Sequence, residues 1–426
     1  MKNSKLFLVF CIVSVFTVID VSSQDLVSPK NKYINDKPIN KEGEKELFND
    51  KMLNILFSDK VGTSFNGTNN LSLQKFFTSI DADDNSIAIG VNFDFRKSEL
   101  SKLTYLLTIA TKFKANNDFA VLYNDDGVFQ EDNIGLNIKF SMIGKGTIDF
   151  QNKETQVKKL QKILYSEYDN KVSTFNDKEL KSFKEDVKNK NSIIGLSQNL
   201  SNYISKALKD KEKELYIELA KEEIKLLNDY KLYRFVRDHW FSADVFVPLG
   251  YNTYKTTSDV SMPLEDKEFW GFDASISYNF MQLHSKGHSY FLKIQAGIKN
   301  NNNIILQNIS IINFQTQVSG IDNQIIVVNN ENGFLTNYKQ FFTSSLLIEP
   351  VLFIYKNMIG FSPAIEFNAG EYNKTNWKLG IPISLKDKEG KPKVNFEIQW
   401  KEQNTLDSTV HLVGISASFL FGDLIN

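Results

Sequence analysis

The stretch VHLVGISASFLF, residues 410–421, decides the fold because it alternates between two kinds of side chain. One face carries apolar side chains, at Val413, Ile415, Ala417, Phe419 and Phe421. The other face carries Gly414, Ser416 and Ser418. A period of two residues is the signature of a β-strand. Because one face is apolar and the other is small or polar, this strand is expected to lie between two different environments.

The same alternation recurs along the chain in two blocks. It occurs in residues 87–95, 103–113 and 136–142, starts again at 148–150, and recurs in residues 241–247, 272–280, 290–297, 346–355, 359–367, 377–385 and 394–400. Residues 119–123 and 304–314 are weaker candidates. Counting predicts about 14 strands with the two weakest and about 12 without them. The expected fold class is all-β, an antiparallel transmembrane β-barrel of about 12–14 strands with an inserted α-helical segment.

A helical pattern interrupts the strands between residues 153 and 230. Apolar residues recur there about every 3.6 residues, in three or four segments. Asp177 and Ser192 are placed to cap the second and third segments. Before the strands, residues 44–57 are expected to form one short amphipathic helix. The predicted organisation is a signal peptide at 1–23, a periplasmic lead or partial plug at 24–86, first barrel strands at 87–152, a helical insertion at 153–230 and the remaining barrel strands at 231–426.

The N-terminus has the layout of a secretory signal peptide. Lys2 and Lys5 precede an apolar run over residues 6–19, and small residues follow it. This run is shorter than the roughly 20 residues that a membrane-spanning helix needs, so we expect cleavage after Ser23 rather than an uncleaved anchor. The one cysteine, Cys11, lies in that run. The mature chain is therefore expected to have no disulfide, thiol catalysis or cysteine metal site.

The overall composition excludes two classes of protein. A mean hydropathy of −0.29 is far too low for a helical membrane protein. A net charge of −1 gives no sign of a nucleic-acid partner, which normally requires a basic excess.

Two features favour a membrane barrel over a secreted all-β surface protein, which would also show alternation. Aromatic residues lie near strand limits, as interfacial girdles require, at Trp240, Trp270, Trp377, Trp400, Tyr105, Tyr278 and Tyr290. The polar faces carry Gly, Ser, Asn and charges of both signs, which suits a wet lumen.

On these strands the chain resembles the Gram-negative outer-membrane β-barrel proteins, over residues 87–421 without the insertion. The resemblance implies an outer-membrane location, contact with outer-membrane lipid and insertion by the barrel-assembly machinery. Residues 414–421 look like the C-terminal strand that this machinery recognises. The chain departs from the usual pattern because it ends on Gly422-Asp423-Leu424-Ile425-Asn426 rather than on an aromatic residue.

Charged residues on the polar faces are the candidates for lining the lumen. They are Asp94, Lys112, Lys139, Asp244, Asp273, Lys293, Glu349, Glu366, Lys378, Glu397 and Lys401. The first interpretation is a channel or transporter for small or amphipathic solutes, with the helical insertion as its cap. Because charges of both signs nearly balance and can pair across the lumen, weak ion selectivity and low conductance are expected. The alternative is a non-transporting surface-display or adhesion barrel whose helical insertion binds a partner. The solute or surface partner is unknown, and neither a cofactor nor an enzymatic activity is expected.

The expected topology places the helical insertion outside the cell. If both termini are periplasmic, the insertion and a long loop at 319–339 fall on the extracellular side. One connection, residues 251–268, is then too long for the periplasmic side where this strand count puts it.

Three residue groups resemble reactive or metal sites without the neighbours that such sites need. Asp238, His239 and Ser242 are the residue types of a hydrolase triad, but His239 and Ser242 differ in strand parity. His284 and His288 flank a turn and could approach each other, but no carboxylate completes a metal site. Asp81, Asp83 and Asn85 have the spacing of a calcium loop that lacks its glycine and its closing glutamate.

Overall fold

The structure is a computed structural model that describes residues 26, 29–61, 73–81, 86–96, 98–114, 134–150, 152–182, 185, 197–307, 309, 311–319, 325–355, 358–386 and 392–424. It divides into two compact units. A helical unit comprises the described residues up to Met52 together with Asn152–Leu232, and a barrel unit comprises Leu53–Gln151 and Tyr233–Asn426. The predicted signal peptide and the candidate strand at 119–123 lie outside the described residues.

Twelve strands close into an antiparallel barrel, in agreement with the predicted fold class. In chain order they are β1 (Gln74–Asp81), β2 (Ser86–Asp94), β3 (Tyr105–Lys114), β4 (Ile134–Ile143), β6 (Phe235–Pro248), β9 (Asp273–His284), β10 (Ser289–Asn302), β13 (Gln340–Ile354), β14 (Ile359–Gly370), β15 (Thr375–Lys386), β16 (Pro392–Asn404) and β17 (Thr409–Leu424). Strand β17 pairs with β1, and β4 pairs with β6, which closes the circle. A short strand β5 (Thr147–Asp149) extends the sheet beside β6.

The remaining strands form a separate four-stranded sheet. They are β7 (Asn252–Thr257), β8 (Glu265–Phe269), β11 (Ile312–Ser319) and β12 (Ile325–Leu335), in the order β11-β12-β7-β8. This corrects two expectations. The predicted loop at 319–339 contains β12, and the candidate strand at 304–314 divides into a short helix, Asn303–Gln307, and the start of β11.

Five α-helices complete the described structure. They are α1 (Pro29–Asn35), α2 (Asp50–Val61), α3 (Glu154–Thr174), α4 (Ser197–Asp229) and α5 (Asn303–Gln307). Helix α3 continues directly into a π-helical turn, Phe175–Leu180, so Asp177 lies inside a continuous helix and is not the N-cap that we predicted. Ser192 lies outside the described residues. Helix α2 begins in the helical unit and ends in the barrel unit.

Strand β1 corrects the predicted boundary of the lead at residue 86. In this strand Phe76 faces outward, whereas Phe77 faces the lumen and is buried. Because both faces carry a phenylalanine here, the sequence does not alternate between apolar and polar residues. A Cβ at Gly90 would lie 2.5 Å from the Phe77 ring. The glycine on β2 therefore makes room for this phenylalanine inside the barrel.

The order of the strands corrects the predicted side of the helical insertion. Chain connections alternate between two ends of the barrel, and β1 starts at the same end where β17 finishes. At this end, which we call the termini end, the chain also leaves β5 for the helical unit and returns into β6. We call the opposite end the loop end, and the connections at this end contain β7, β8, β11 and β12. The insertion and the 319–339 segment are therefore attached to opposite ends of the barrel strands. The 251–268 connection is attached at the same end as the 319–339 segment.

Candidate functional site

The barrel is apolar outside and polar inside, which reverses the arrangement of a soluble β-protein. Large outward side chains are exposed, including Ile276 at 65% and Ile415 at 60%. Inward charges are buried, including Lys139 and Glu397, each 2% exposed. Water would strongly disfavour such a belt of apolar surface, whereas lipid is its natural solvent.

Aromatic residues mark the limits of this belt, as predicted, with one exception. Trp270 contacts Phe272 with 5.5 Å between ring centroids, and Trp377 contacts Trp400 at 5.1 Å, both at the loop end. Tyr105, Tyr278 and Tyr290 also face outward. Trp240 does not belong to the girdle, because its side chain faces the lumen and is 1% exposed.

The lumen at the termini end is filled by apolar side chains. Helix α2 contributes Leu53, Leu56, Phe57 and Val61, all buried. The barrel wall contributes Leu106, Ile143, Val236, Trp240, Met281, Leu283, Phe291, Val351 and Phe353, which are also buried. The Phe57 ring meets the Trp240 ring edge-on, with centroids 5.5 Å apart. We call this layer the apolar plug.

Two hydrogen bonds attach helix α2 to the chain between β2 and β3. The Asn54 side-chain amide donates to the Ser101 carbonyl at 2.8 Å, and the Leu103 backbone N–H donates to Asn54 Oδ1 at 3.0 Å. One side chain thus satisfies a donor and an acceptor of the same backbone segment. Because both bonds are partly or fully buried, they fix the helix to the termini end of the barrel.

A charged layer crosses the lumen above the apolar plug. Lys378 Nζ lies 2.9 Å from Glu349 Oε1 and 3.7 Å from Glu397 Oε1. Ser362 donates a further hydrogen bond to Glu349 at 3.1 Å. Gly380 leaves room for the Glu397 carboxylate, which a Cβ at that position would overlap. Two glutamates therefore share one lysine in a buried cluster.

A second ion pair lies across strands β4 and β6. Lys139 Nζ is 3.3 Å from Asp244 Oδ2, and the Asn137 amide donates to Asp244 Oδ1 at 2.5 Å. Nearby, the Lys112 ammonium lies 5.5 Å from the centre of the Phe246 ring. These contacts hold opposite charges within the lumen.

A cavity of about 230 Å³ remains at the loop end of the lumen. Charges of both signs line it, and Leu306 of α5 projects into the lining. The Leu406 backbone N–H donates to the Leu306 carbonyl at 2.9 Å, which ties α5 to the turn between β16 and β17. Helix α5 therefore covers part of the opening at this end.

The structure places all the predicted lumen residues on the inward face. Those that line the cavity are Lys112, Asp244, Asp273, Lys293, Glu349, Glu366, Lys378 and Lys401. Lys139 and Glu397 lie below the cavity in the ion pairs described above. Asp94 lies apart, at the termini end of β2, where its Oδ2 is 2.6 Å from Arg96 Nη2.

A partial plug within residues 24–86 was one of two predicted alternatives, but the side chains that fill the lumen were not identified from the sequence, although one signal was present. Trp240 has the inward parity of its strand, in register with Ile143 of β4, and a tryptophan inside a lumen indicates a filled rather than an open barrel. No pattern in residues 24–86 predicted that helix α2 would contact Trp240.

The suspected catalytic residues are not assembled. His239 faces outward, whereas Asp238 and Ser242 face the lumen from the same strand. Within the described ranges, no group of three or more His, Cys, Asp or Glu residues could hold a metal ion. His284 and His288 do approach each other, with stacked rings 4.6 Å apart. Most of the suspected calcium loop lies outside the described residues.

The helical unit has its own buried polar cluster, centred on the carboxylate of Glu223. Tyr33 donates to it at 2.6 Å, Lys37 at 3.2 Å, and Gln161 also donates. Burial, together with the Glu223 charge, holds the pKa of Tyr33 well above its usual value of 10.0. Burial lowers the pKa of Lys37, against the opposing effect of Glu223. The cluster ties α1 and the segment after it to α3 and α4.

A closed twelve-stranded barrel with a lipid-compatible belt defines the class of this protein. It is an outer-membrane β-barrel protein, located in the cell outer membrane. None of its described helices has the length and apolar character that a membrane crossing requires.

Comparison with known proteins finds distant structural neighbours. No family model and no curated protein matches the sequence. A crystal structure of the beta domain of the Bordetella autotransporter Brka matches with a TM-score of 0.26 and 5% identity, over 80% of this chain and 94% of that one. A likeness this weak transfers no function.

Proposed function

We propose that this protein is a closed, non-conducting barrel that anchors two accessory parts to the outer membrane. The four-stranded sheet at the loop end is displayed at the cell surface for partner binding. The helical unit remains on the periplasmic side. Insertion by the barrel-assembly machinery is part of this proposal.

The apolar plug is the observation that carries the proposal. A water-filled pathway needs a continuous polar lining, but at the termini end large buried side chains such as Trp240, Met281 and Phe353 occupy the lumen. Phe57 and Asn54 fix helix α2 among them. An ion would have to lose its hydration shell to cross this layer, which costs many kcal/mol.

The lengths of the connections support this orientation. At the loop end, residues 115–133, 249–272 and 303–339 join the strands. At the termini end, apart from the helical insertion, the longest connection is residues 95–104, and those at 285–288, 355–358 and 387–391 are shorter. Outer-membrane barrels have short periplasmic turns and long extracellular loops. This asymmetry supports a periplasmic termini end.

A solute-binding or gated channel is the second candidate. The cavity of about 230 Å³, with charges of both signs, favours it because such a lining could hold a small zwitterionic solute. Transport would then require the apolar plug to move, and its buried contacts oppose that motion.

Cysteine labelling in intact cells tests the proposed arrangement. Ser261 lies exposed between β7 and β8, and Lys221 lies exposed on α4. A membrane-impermeant maleimide should label a Ser261→Cys variant on intact cells, but a Lys221→Cys variant only after the outer membrane is opened. The wild type is the background control. Labelling of Lys221→Cys on intact cells would overturn the orientation and with it the displayed sheet.

A further inference from the structure

The outward surface of the barrel carries a group of basic side chains at the termini end, at the ends of strands β6, β9 and β10. We call Arg234, Arg237, His284, Lys286 and His288 the basic cluster. Arg237 Nε donates to Gln282 Oε1 at 2.7 Å, and Gln282 Nε2 lies 2.7 Å from His284 Nε2. The hydrogen bonds hold these side chains side by side across two strands.

The hairpin between β9 and β10 orients the two histidines. The His284 backbone N–H donates to the His288 carbonyl at 2.9 Å, and Gly287 closes the turn with a φ of +89°. The two rings stack at 4.6 Å, and Tyr290 packs edge-on against both, at 5.5 and 5.7 Å. The turn therefore presents both rings and a tyrosine on one rigid surface.

The cluster has an excess of positive charge. Arg234, Arg237 and Lys286 are exposed, and all three interact electrostatically with His284. On strands β5, β6, β9 and β10, which the structure describes in full, Asp149 is the one acidic residue on the outward face. Asp238 faces the lumen from the same strand as Arg237.

The cluster lies where the apolar belt ends. Along the same strands toward the loop end, the outward side chains are apolar and exposed, with Phe241 at 48%, Ile276 at 65% and Ile294 at 37%. Arg237 rests on the aromatic ring of Phe235, 4.0 Å from its centre. A cationic group at this boundary is at the depth of lipid headgroups.

We propose that the basic cluster binds the phosphate of an anionic glycerophospholipid headgroup. Guanidinium and ammonium groups donate charge-assisted hydrogen bonds to phosphate oxygens, and the imidazoles and Tyr290 add donors beside them. Continuity with the lipid-facing belt favours a lipid over a soluble acidic partner. The assignment to the inner leaflet rests on the periplasmic termini end proposed above, but the binding itself does not.

Native mass spectrometry of the full chain tests this site. The protein is released in the mass spectrometer from micelles that contain phosphatidylglycerol or phosphatidylcholine, and the amount of each lipid that stays bound to the protein is measured. We expect selective retention of phosphatidylglycerol, weakened roughly thirtyfold in an Arg237→Gln/Lys286→Gln variant, because each basic residue contributes about 1 kcal/mol at an anionic surface. A Lys255→Gln/Lys339→Gln variant removes the same charge from the loop end and should bind as wild type does.

A charge-conserving variant separates binding from folding. Arg237→Lys/Lys286→Arg should keep the retention, and all variants should show the same shift in gel mobility on boiling. Equal retention of phosphatidylglycerol by the glutamine variant, or displacement of the lipid by inorganic phosphate, would overturn the proposal.

Discussion

Phe57 of helix α2 and Trp240 of strand β6 meet edge-on inside the barrel, with ring centroids 5.5 Å apart and planes at 83°. The contact joins a segment that precedes the first strand to the barrel wall 183 positions later in the sequence. Both side chains are almost completely buried. The contact therefore fills part of the lumen and packs the helix against the barrel wall.

Shortening Phe57 should loosen the apolar plug. A Phe57→Ala variant removes the edge-on contact and leaves a cavity, which typically costs about 3–5 kcal/mol. We expect a lower unfolding temperature, measured as the temperature at which the folded gel band disappears. Phe57→Leu keeps most of the volume and should lose less than half as much. Equal unfolding temperatures for the wild type and the alanine variant would show that Phe57 does not fill the lumen.

The lysine shared by Glu349 and Glu397 should be essential for barrel stability. A Lys378→Met variant keeps the length of the side chain but leaves two buried carboxylates without that cation, a change that typically costs about 3–5 kcal/mol. Urea unfolding followed by tryptophan fluorescence measures the loss. The exposed pair Lys255 and Glu331 provides the control, because Lys255→Met should cost less than about 1 kcal/mol. Similar losses in both variants would contradict a buried ion-pair layer.

The Glu223 carboxylate should hold the helical unit together. Glu223→Gln leaves the buried Lys37 ammonium without its counter-charge, so we expect a loss on the order of 3 kcal/mol in the helical circular dichroism transition. Glu218 forms an exposed pair with Lys171 at 2.9 Å, and Glu218→Gln should lose less than about 1 kcal/mol. If the two variants unfold alike, the cluster around Glu223 has no special role.

The helical unit should also lose stability at alkaline pH. The folded pKa of Tyr33 is raised above its ordinary value of 10.0, so above that pH the folded state holds a proton that the unfolded state has released. Stability therefore falls as the pH rises from 10.0 toward the folded value. The lowered pKa of Lys37 acts in the opposite direction, and its effect ends near the ordinary lysine value of 10.5.

A Tyr33→Phe variant tests this pH dependence. It removes the titrating hydroxyl, so the alkaline fall in unfolding free energy should become shallower, in urea titrations monitored by circular dichroism at several pH values. The variant should be less stable at neutral pH, because Glu223 loses a hydrogen bond at 2.6 Å. An unchanged slope above pH 10.0 would rule out Tyr33 as a source of the pH dependence.

The sequence predicted the barrel and the faces of its strands, because burial on one face requires strict alternation. It did not predict β1, whose adjacent phenylalanines hide the period, or β12, whose polar residues look like a loop. The prediction omitted β1 and included weaker candidates, so the number of strands before the helical insertion was wrong. That error placed the helical insertion at the wrong end, since the side of every connection depends on the number of strands before it.

The charged lumen residues could be identified by parity, but their pairing could not. Lys378 on β15 reaches Glu349 on β13, across β14, and Glu397 on the neighbouring strand β16, and this geometry depends on the register between strands. The apolar plug depends on a contact between distant segments. Periodicity in the sequence predicts which face of a strand a side chain lies on. Whether the lumen is filled depends on contacts between side chains of distant segments, which periodicity does not predict.

Conductance of the full chain in planar lipid bilayers tests the closed barrel most directly. We expect that correctly inserted protein, verified by its gel shift on boiling, gives no stepwise current above the bare bilayer. Brief openings in the Phe57→Ala variant would locate the block at the apolar plug. Stable current steps from the wild-type protein would contradict the closed barrel and favour the channel.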